Sequence, residues 1–187
     1  MMSNLRLFML LLGCKPRGRH TEQHDIFFGV ATSVQELVPE IKAFWPETRI
    51  HADAWREVTA VEGYQINVSI KDEADERPHE QERKLFFINL GGYQENRFEE
   101  QHHILLTVKK DKATAITEAK NTLFFQHNHF GSAYSHIDDK YGIDVDDFYQ
   151  VEEMLSPFQK EKYKIEITTA AGVKEDPFHL GYLKLME

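Results

Sequence analysis

The sequence predicts an α+β fold made of two duplicated β-β-α-β-β units, packed as an intramolecular pseudo-dimer with an antiparallel or mixed sheet. The first observation behind this prediction is an ungapped internal repeat. Residues 7–30 align with residues 85–108 at an offset of 78 and share ten identical positions. The second observation is a weaker match of residues 51–66 with residues 136–151, at an offset of 85. Because a copy of about 60–70 residues buries little core alone, we expect the two copies to pack together.

Residues 7–12 (LFMLLL) form an apolar run that ends at Gly13, which predicts a buried strand. The run also resembles the apolar part of a short lipoprotein signal before Cys14. Its counterpart in the second copy, residues 85–90, lies in mid-chain, where no signal peptide operates. We therefore expect residues 7–12 to form a strand of the mature protein.

Apolar patterning predicts the remaining elements of each copy. The predicted strands lie at residues 7–12, 25–31, 49–58 and 63–70 in the first copy and at residues 85–90, 103–109, 134–138 and 148–154 in the second. Ser33 followed by Glu36 is a capping box, which predicts a helix that contains Pro39 and ends at Pro46. In the second copy, we expect Asp111 to cap the corresponding helix.

Charge and apolar patterning also predict the domain organisation. The predicted parts are a first repeat unit at residues 1–71, a charged linker at 72–84, a second repeat unit at 85–155 and a C-terminal extension at 156–187. The linker contains Pro78 and lacks apolar periodicity, which is typical of an exposed connection. The alternating segment Tyr163–Thr169 predicts one strand in the extension, which we expect to dock on the repeats.

The composition argues against several functional classes. The chain of 187 residues has 22 basic and 31 acidic side chains, and its net charge of −9 disfavours nucleic acid and anionic membranes as partners. A single cysteine permits no intramolecular disulfide, so we expect a cytoplasmic protein. The sequence contains no Walker motif, dinucleotide-binding motif or Gly-x-Ser-x-Gly motif, and no cofactor is predicted.

Histidine and carboxylate side chains recur in the two copies. The candidate sets are Glu22, His24, His51 and Asp53 in the first copy and Glu100, His102, His136 and Asp138 in the second. Because residues two apart in a strand face the same side, each Glu-x-His or His-x-Asp pair presents two possible ligands on one face. Such groups suit a divalent transition metal or proton transfer. They equally fit a structural role in a repeated turn, and no metal is assigned.

The loop after the first strand is a candidate anion site. It carries Arg17 and Arg19 beside glycines, and backbone amides together with arginine side chains can hold an anion. In the second copy, Arg97 is the remaining basic counterpart. A solvated hairpin loop with positive-φ glycines explains the same residues.

The repeated motifs resemble those of a small bacterial family that is described only as a domain of unknown function and often occurs in tandem. The residues that carry the resemblance are Leu12-Gly13, Glu22-Gln23-His24, His51-Ala52-Asp53 and Gly63-Tyr64, and in the second copy Leu90-Gly91-Gly92-Tyr93, Glu100-Gln101-His102, His136-Ile137-Asp138 and Tyr149. The resemblance implies no activity.

Together these observations predict a non-enzymatic binding or interaction module with a cleft on the pseudo-twofold axis. We expect its partner to be a small molecule or another protein, and the protein itself to be a monomeric pseudo-dimer or a homodimer. The alternative is an enzyme that uses the repeated sets as a metal site or as an acid and base. Convergence of these side chains in space distinguishes the two hypotheses.

Overall fold

The chain folds mainly into β-strands. The computed structural model describes residues 4–46, 49–72, 82–93, 98–119 and 143–185. Within these ranges, ten strands form three antiparallel sheets, and the helices are short. The predicted α+β fold of two β-β-α-β-β units is therefore wrong.

The strands are β1 (Arg6–Cys14), β2 (Gln23–Ala31), β3 (His51–Glu57), β4 (Ala60–Val61), β5 (Tyr64–Ile70), β6 (Lys84–Tyr93), β7 (Glu100–Lys109), β8 (Ile143–Gln150), β9 (Tyr163–Thr169) and β10 (His179–Lys184). The helices are α1 (Val38–Phe44), α2 (Lys112–Ala119), α3 (Val151–Met154) and α4 (Pro157–Lys162), and a 3-10 turn (Val34–Leu37) precedes α1. Within the described ranges, no helix combines the length and the apolarity needed to cross a membrane.

These elements form two compact units. Unit 1 comprises Met1–Glu80 and Glu152–Glu187, and unit 2 comprises Gln81–Val151. Unit 1 contains a sheet in the order β10-β3-β1-β2 and a sheet in the order β4-β5-β9, and unit 2 contains a sheet in the order β7-β6-β8. In each unit a central strand, β1 or β6, therefore lies between two antiparallel neighbours that follow it in the chain.

The larger sheet of unit 1 forms a hydrophobic core on one face. The structure confirms the predicted strand at residues 7–12, which belongs to β1. Phe8, Leu10 and Leu12 of β1 pack with Leu37 and Ile41 from the helical segment between β2 and β3. Because side chains alternate along a strand, Gly13 lies on the opposite face of this sheet.

The fourth predicted strand of the first copy, at residues 63–70, corresponds to β5, and its pairing explains why the predicted fold class is wrong. Glu62 and Gly63 have φ values of 50° and 79°, which are typical of a tight hairpin turn, and they connect β4 to β5. β5 then pairs along its length with β9 of the C-terminal extension instead of joining the sheet of β1. In unit 2, β8 is followed directly by α3, so the described residues contain no counterpart of β5.

The C-terminal extension contributes two strands, where the sequence predicted one. β9 has the predicted bounds, and β10 pairs with β3 at the edge of the first sheet. Between them, the Asp176 carboxylate accepts hydrogen bonds from the backbone N of Thr59 (2.7 Å) and of Ala60 (3.2 Å), and from Thr59 Oγ1 (2.7 Å). The extension is therefore an integral part of unit 1.

The predicted capping box forms with different partners. The Ser33 side chain makes no capping hydrogen bond. The Glu36 carboxylate instead accepts from the backbone N (2.9 Å) and from Oγ1 (2.7 Å) of Thr32, which lowers the Glu36 pKa. The chain first makes a 3-10 turn, and α1 begins one turn later, so that Pro39 lies in its first turn, where proline is tolerated.

The last part of the second repeat also differs from the prediction. The predicted strand at 134–138 lies outside the described residues. Residues 148–154 were predicted as a strand, but the strand there, β8, ends at Gln150, and Val151–Met154 form α3.

Asp111 caps α2, as the sequence predicted, because its Oδ1 accepts a hydrogen bond from the Thr114 backbone N at 2.8 Å. This bond lowers the Asp111 pKa, so its stabilisation is complete above the unfolded-state pKa and is lost as the pH falls through the folded-state pKa. We expect Asp111→Ala to destabilise unit 2 at pH 7 and to cost less below about pH 4. Urea unfolding from pH 3 to pH 7 measures this, and a pH-independent difference would contradict it.

Candidate functional site

In each unit, a glycine near the end of the central strand pairs with one residue on each of the two neighbouring strands. Gly13 of β1 pairs with His24 of β2 and with His51 of β3. A Cβ atom at Gly13 would lie 2.6 Å from Asp53 Oδ2 and 2.7 Å from His51 Nε2. The absence of a side chain at Gly13 therefore leaves the space that His51 and Asp53 occupy on this face of the sheet.

The structure brings all four predicted residues of the first set together. Their contacts form a chain, in which Glu22 Oε1 lies 3.1 Å from His51 Nε2, His51 Nε2 lies 3.2 Å from Asp53 Oδ1, and Asp53 Oδ2 lies 3.0 Å from His24 Nε2. Asp53 uses both carboxylate oxygens and links the two imidazoles. His24 and His51 are 27 positions apart in sequence, on the two strands that flank β1, and they belong to one cluster.

A β-bulge in β3 places Asp53 in this cluster. Leu11 pairs with Ala54 and Leu12 pairs with Ala52, so Asp53 is an extra residue on β3. The bulge lets Ala52 and Trp55 both pack with the core although they are three positions apart. It also keeps His51 and Asp53 on the opposite face, beside Gly13.

His51 is the buried member of the first set. Its side chain is 11% exposed, compared with 31% for Asp53, 42% for Glu22 and 47% for His24. Tyr182 of β10 stacks on the His51 ring, with the ring centroids 4.4 Å apart. Sequence reasoning missed Tyr182, because only the apolar character of the tail indicated that this segment would dock at all.

Unit 2 repeats this arrangement with different residues. Gly91 of β6 pairs with His102 of β7 and with Asp144 of β8. β8 also carries a β-bulge, opposite the two residues that precede Gly91, since Asn89 pairs with Asp147 and Leu90 pairs with Val145. Asp146 is the extra residue, and its carboxylate occupies the place where a Cβ atom at Gly91 would lie.

The ligand atoms of the second cluster converge. His102 Nε2 lies 3.3 Å from Asp146 Oδ2 and 3.8 Å from Glu100 Oε2, and one ligand atom from each of the three residues lies within 4.8 Å of the others. Their side chains are 46%, 30% and 35% exposed for His102, Asp146 and Glu100. Such an arrangement can coordinate a cation from the solvent side.

The sequence-predicted partners of His102, namely His136 and Asp138, lie outside the described residues, and so does Arg97. Asp146 holds the place beside His102 that Asp53 holds beside His24. The register aligns His51 with Asp144, an offset of 144 − 51 = 93 rather than 85. At this offset, the identical pairs are Asp53 with Asp146 and Val58 with Val151. These two identities are too few for the sequence comparison to favour the offset of 93.

The predicted anion loop lies between β1 and β2. Arg17 and Arg19 are exposed there, and Gly18 has a φ of 81° in open space. The Arg19 backbone N donates to the Pro16 carbonyl at 3.2 Å and closes a turn. These features fit the hairpin-loop interpretation, and the anion site stays a prediction.

The cluster of unit 1 lies in the segment that resembles a known family. Residues 19–68 match the model of the Domain of Unknown Function (DUF1543), and this segment contains Glu22, His24, His51 and Asp53. The expected resemblance to a domain-of-unknown-function family therefore holds for this segment. No curated protein matches the chain.

Among solved structures, the crystal structure of a protein Il1583 from Idiomarina loihiensis is similar to this chain. The similarity covers 98% of this chain and 99% of that chain, with a TM-score of 0.61 and 19% sequence identity. At this level of identity the similarity shows a common fold.

Proposed function

We propose that the protein is a non-enzymatic binding module whose ligand is a divalent metal ion, held in unit 2 by Glu100, His102 and Asp146. The observation that carries this proposal is the convergence of one imidazole nitrogen and two carboxylate oxygens within 4.8 Å of one another. Two atoms bound to one ion at about 2.1 Å are at most about 4.2 Å apart. His102 Nε2 lies 3.3 Å from Asp146 Oδ2 and 3.8 Å from Glu100 Oε2, so both separations are within this limit.

The glycine opposite Asp146 supports the proposal independently of these distances. Glycine in a strand costs about 0.5–1 kcal/mol relative to alanine, so a structural reason for Gly91 is needed. The close approach of the Asp146 carboxylate to β6 supplies that reason. The same combination of glycine, bulge and aspartate in unit 1 supports a common purpose for the two clusters.

Charge also favours a cation. The two carboxylates of the cluster balance the charge of a divalent ion, and the net charge of −9 raises the local concentration of cations around the whole chain. The competing structural hypothesis needs no ion, because His102 can donate a hydrogen bond to Asp146. The two hypotheses differ in what added metal does to the protein.

Titration with Mn²⁺, followed by the electron paramagnetic resonance signal of the free ion, tests the proposal. We expect Asp146→Asn and His102→Ala each to weaken one bound Mn²⁺ by more than about 100-fold, since both remove a direct ligand and the loss of a group that only supports a ligand already costs about 10–100-fold. His103→Ala is the matched control, because the neighbouring side chain in β7 points to the other face of the sheet. Equal Mn²⁺ binding by the wild type, Asp146→Asn and His103→Ala would overturn the proposal.

A further inference from the structure

We infer that unit 1 binds a small apolar carboxylic acid, with its carboxylate on the Arg56 guanidinium and its apolar body along Phe178, Leu180 and Tyr182. All four residues belong to unit 1, so the site is independent of the metal ion proposed for unit 2. Two observations carry the inference: the side chain of Arg56 is buried and incompletely paired, and an exposed apolar row begins beside it.

Arg56 of β3 is a buried cation with few partners. Its exposed fraction is 4%, and its Nε atom is buried without a hydrogen-bond partner in the described part of the chain. Glu175 Oε2 lies 3.5 Å from Arg56 Nη1, which is longer than a charge-assisted hydrogen bond. Buried charges are normally paired and hydrogen-bonded, because they have lost their hydration. The unpaired Nε therefore indicates an acceptor that comes from outside the chain.

The side chains beside the Arg56 guanidinium can make room for this acceptor. The centroid of the Phe178 ring lies 5.0 Å from Arg56 Cζ, and an aromatic ring supplies no oxygen that competes with an anion. Phe178 and Glu175 are both exposed, and residues 173–178 form neither helix nor strand. Since Glu175 faces Nη1, the Nε atom is left for one of the two parallel bonds by which arginine holds a carboxylate.

An exposed apolar row leads away from this cation along the edge strand β10. Leu183 packs with the core of the sheet, whereas Tyr182 lies on the opposite face and stacks on His51. Because side chains alternate along a strand, Phe178 and Leu180 lie on the same face as Tyr182. All three are exposed, although natural edge strands usually carry charges or are covered. The row therefore offers an apolar surface to a ligand.

Charge and shape together favour a monocarboxylate over a phosphate. The chain has a net charge of −9, which repels a multiply charged anion more strongly than a singly charged one. Phe178 and Tyr182 are four residues apart, a distance of about 13 Å along a strand, so an extended apolar body can contact the whole row. Burial of this body against the row removes apolar surface from water on both partners.

Calorimetric titration of the full chain with octanoate, in the presence of a chelator, tests the inference. We expect the wild type to bind one octanoate and Arg56→Met to bind it at least about tenfold more weakly, because the hydrogen bonds to the guanidinium are lost. Glu175→Gln should bind octanoate about two- to fivefold more tightly than the wild type, because it removes the carboxylate that competes for Arg56.

The exposed residues provide a matched pair of variants. Leu180→Ser should weaken octanoate binding about threefold or more, because it removes apolar contact. Phe158→Ser is the control and should leave the affinity unchanged. Phe158 is likewise exposed and lies 5.1 Å from the cation of Lys162, but its helix α4 packs against β2, at the other edge of the sheet.

Ligand variants separate the carboxylate from the apolar body. Octanamide lacks the charge and acetate lacks the apolar chain, so both should bind more weakly than octanoate. Equal octanoate binding by the wild type and Arg56→Met, or phosphate binding as tight as octanoate binding, would overturn the inference. A peptide with an apolar C-terminal residue that binds more tightly than octanoate would overturn the assignment to a small acid. If Arg56→Met does not fold, unchanged octanoate affinity in both Glu175→Gln and Leu180→Ser would overturn it.

Discussion

Replacing Gly91 with alanine is expected to remove the metal ion of unit 2 with little change in the stability of the fold. The new Cβ atom would occupy the place of the Asp146 carboxylate, so that this ligand has to turn away from His102 and Glu100. Since Asp146 is about one-third exposed, it can move into solvent, and alanine is the better residue in a strand. We expect Mn²⁺ affinity at this site to fall more than about 100-fold, with a change in unfolding free energy within about 1 kcal/mol.

Gly13→Ala provides the reciprocal control. Its Cβ atom would displace His51 and Asp53 of unit 1, and it leaves the unit 2 cluster untouched. Gly91→Ala should lose the ion of unit 2 and Gly13→Ala should keep it in a titration followed by calorimetry or by the free Mn²⁺ signal. Gly18→Ala should instead lower the stability of unit 1 and leave Mn²⁺ binding unchanged. The φ of 81° at this position strains alanine, but no neighbouring atom lies where the Cβ atom would be. Retention of the ion by Gly91→Ala would show that Asp146 is not a ligand.

Replacing Gln159 is expected to cause a large loss of stability in unit 1. This residue of α4 is 1% exposed and pairs with the backbone of Val30 as a neighbouring strand would. Its Oε1 accepts from the Val30 N at 2.8 Å, and its Nε2 donates to the Val30 carbonyl at 3.1 Å and to Glu40 Oε1 at 2.7 Å. Gln159→Leu keeps the volume but leaves buried polar groups without partners, so we expect a loss of about 2–4 kcal/mol.

Urea unfolding of Gln159→Leu and of Glu161→Ala measures this effect. Glu161 lies on the same helix and is exposed, so its replacement should change the unfolding free energy by less than about 0.5 kcal/mol. A loss below about 1 kcal/mol for Gln159→Leu would mean that water or a rearranged side chain satisfies the backbone of Val30.

Much of the candidate site of unit 1 was predictable because its signal is local. The two-residue period of a strand places His51 and Asp53 on one face, and the apolar run before Gly13 identifies the strand beside them. The convergence of Glu22, His24, His51 and Asp53 was left open, because it depends on which strands become neighbours. The sheet order β3-β1-β2 answers that question.

The partner of His102 was not predictable for a related reason. Sequence identity favoured the segment around His136, whereas the strand that pairs with β6 is β8, which carries Asp146. Pairing depends on side-chain packing against the sheet, such as the contact of Phe148 with Phe86, rather than on residue identity. In unit 1 the corresponding contact is that of Trp55 on β3 with Phe8 on β1. The two aromatic pairs are equivalent in packing, although β3 carries a tryptophan where β8 carries a phenylalanine.

The sequence by itself determined the local elements of this protein: the apolar central strands, the glycines near their ends, the cap of α2, the strand β9 and the histidine and carboxylate pairs. These follow from side-chain alternation, turn chemistry and hydrogen bonds between near neighbours. Only the tertiary structure decided that β5 joins β9, that β10 covers His51 and that Asp146 reaches His102. Those outcomes depend on contacts between residues that are tens of positions apart, where many pairings satisfy the same local pattern and the packing of the whole unit selects one.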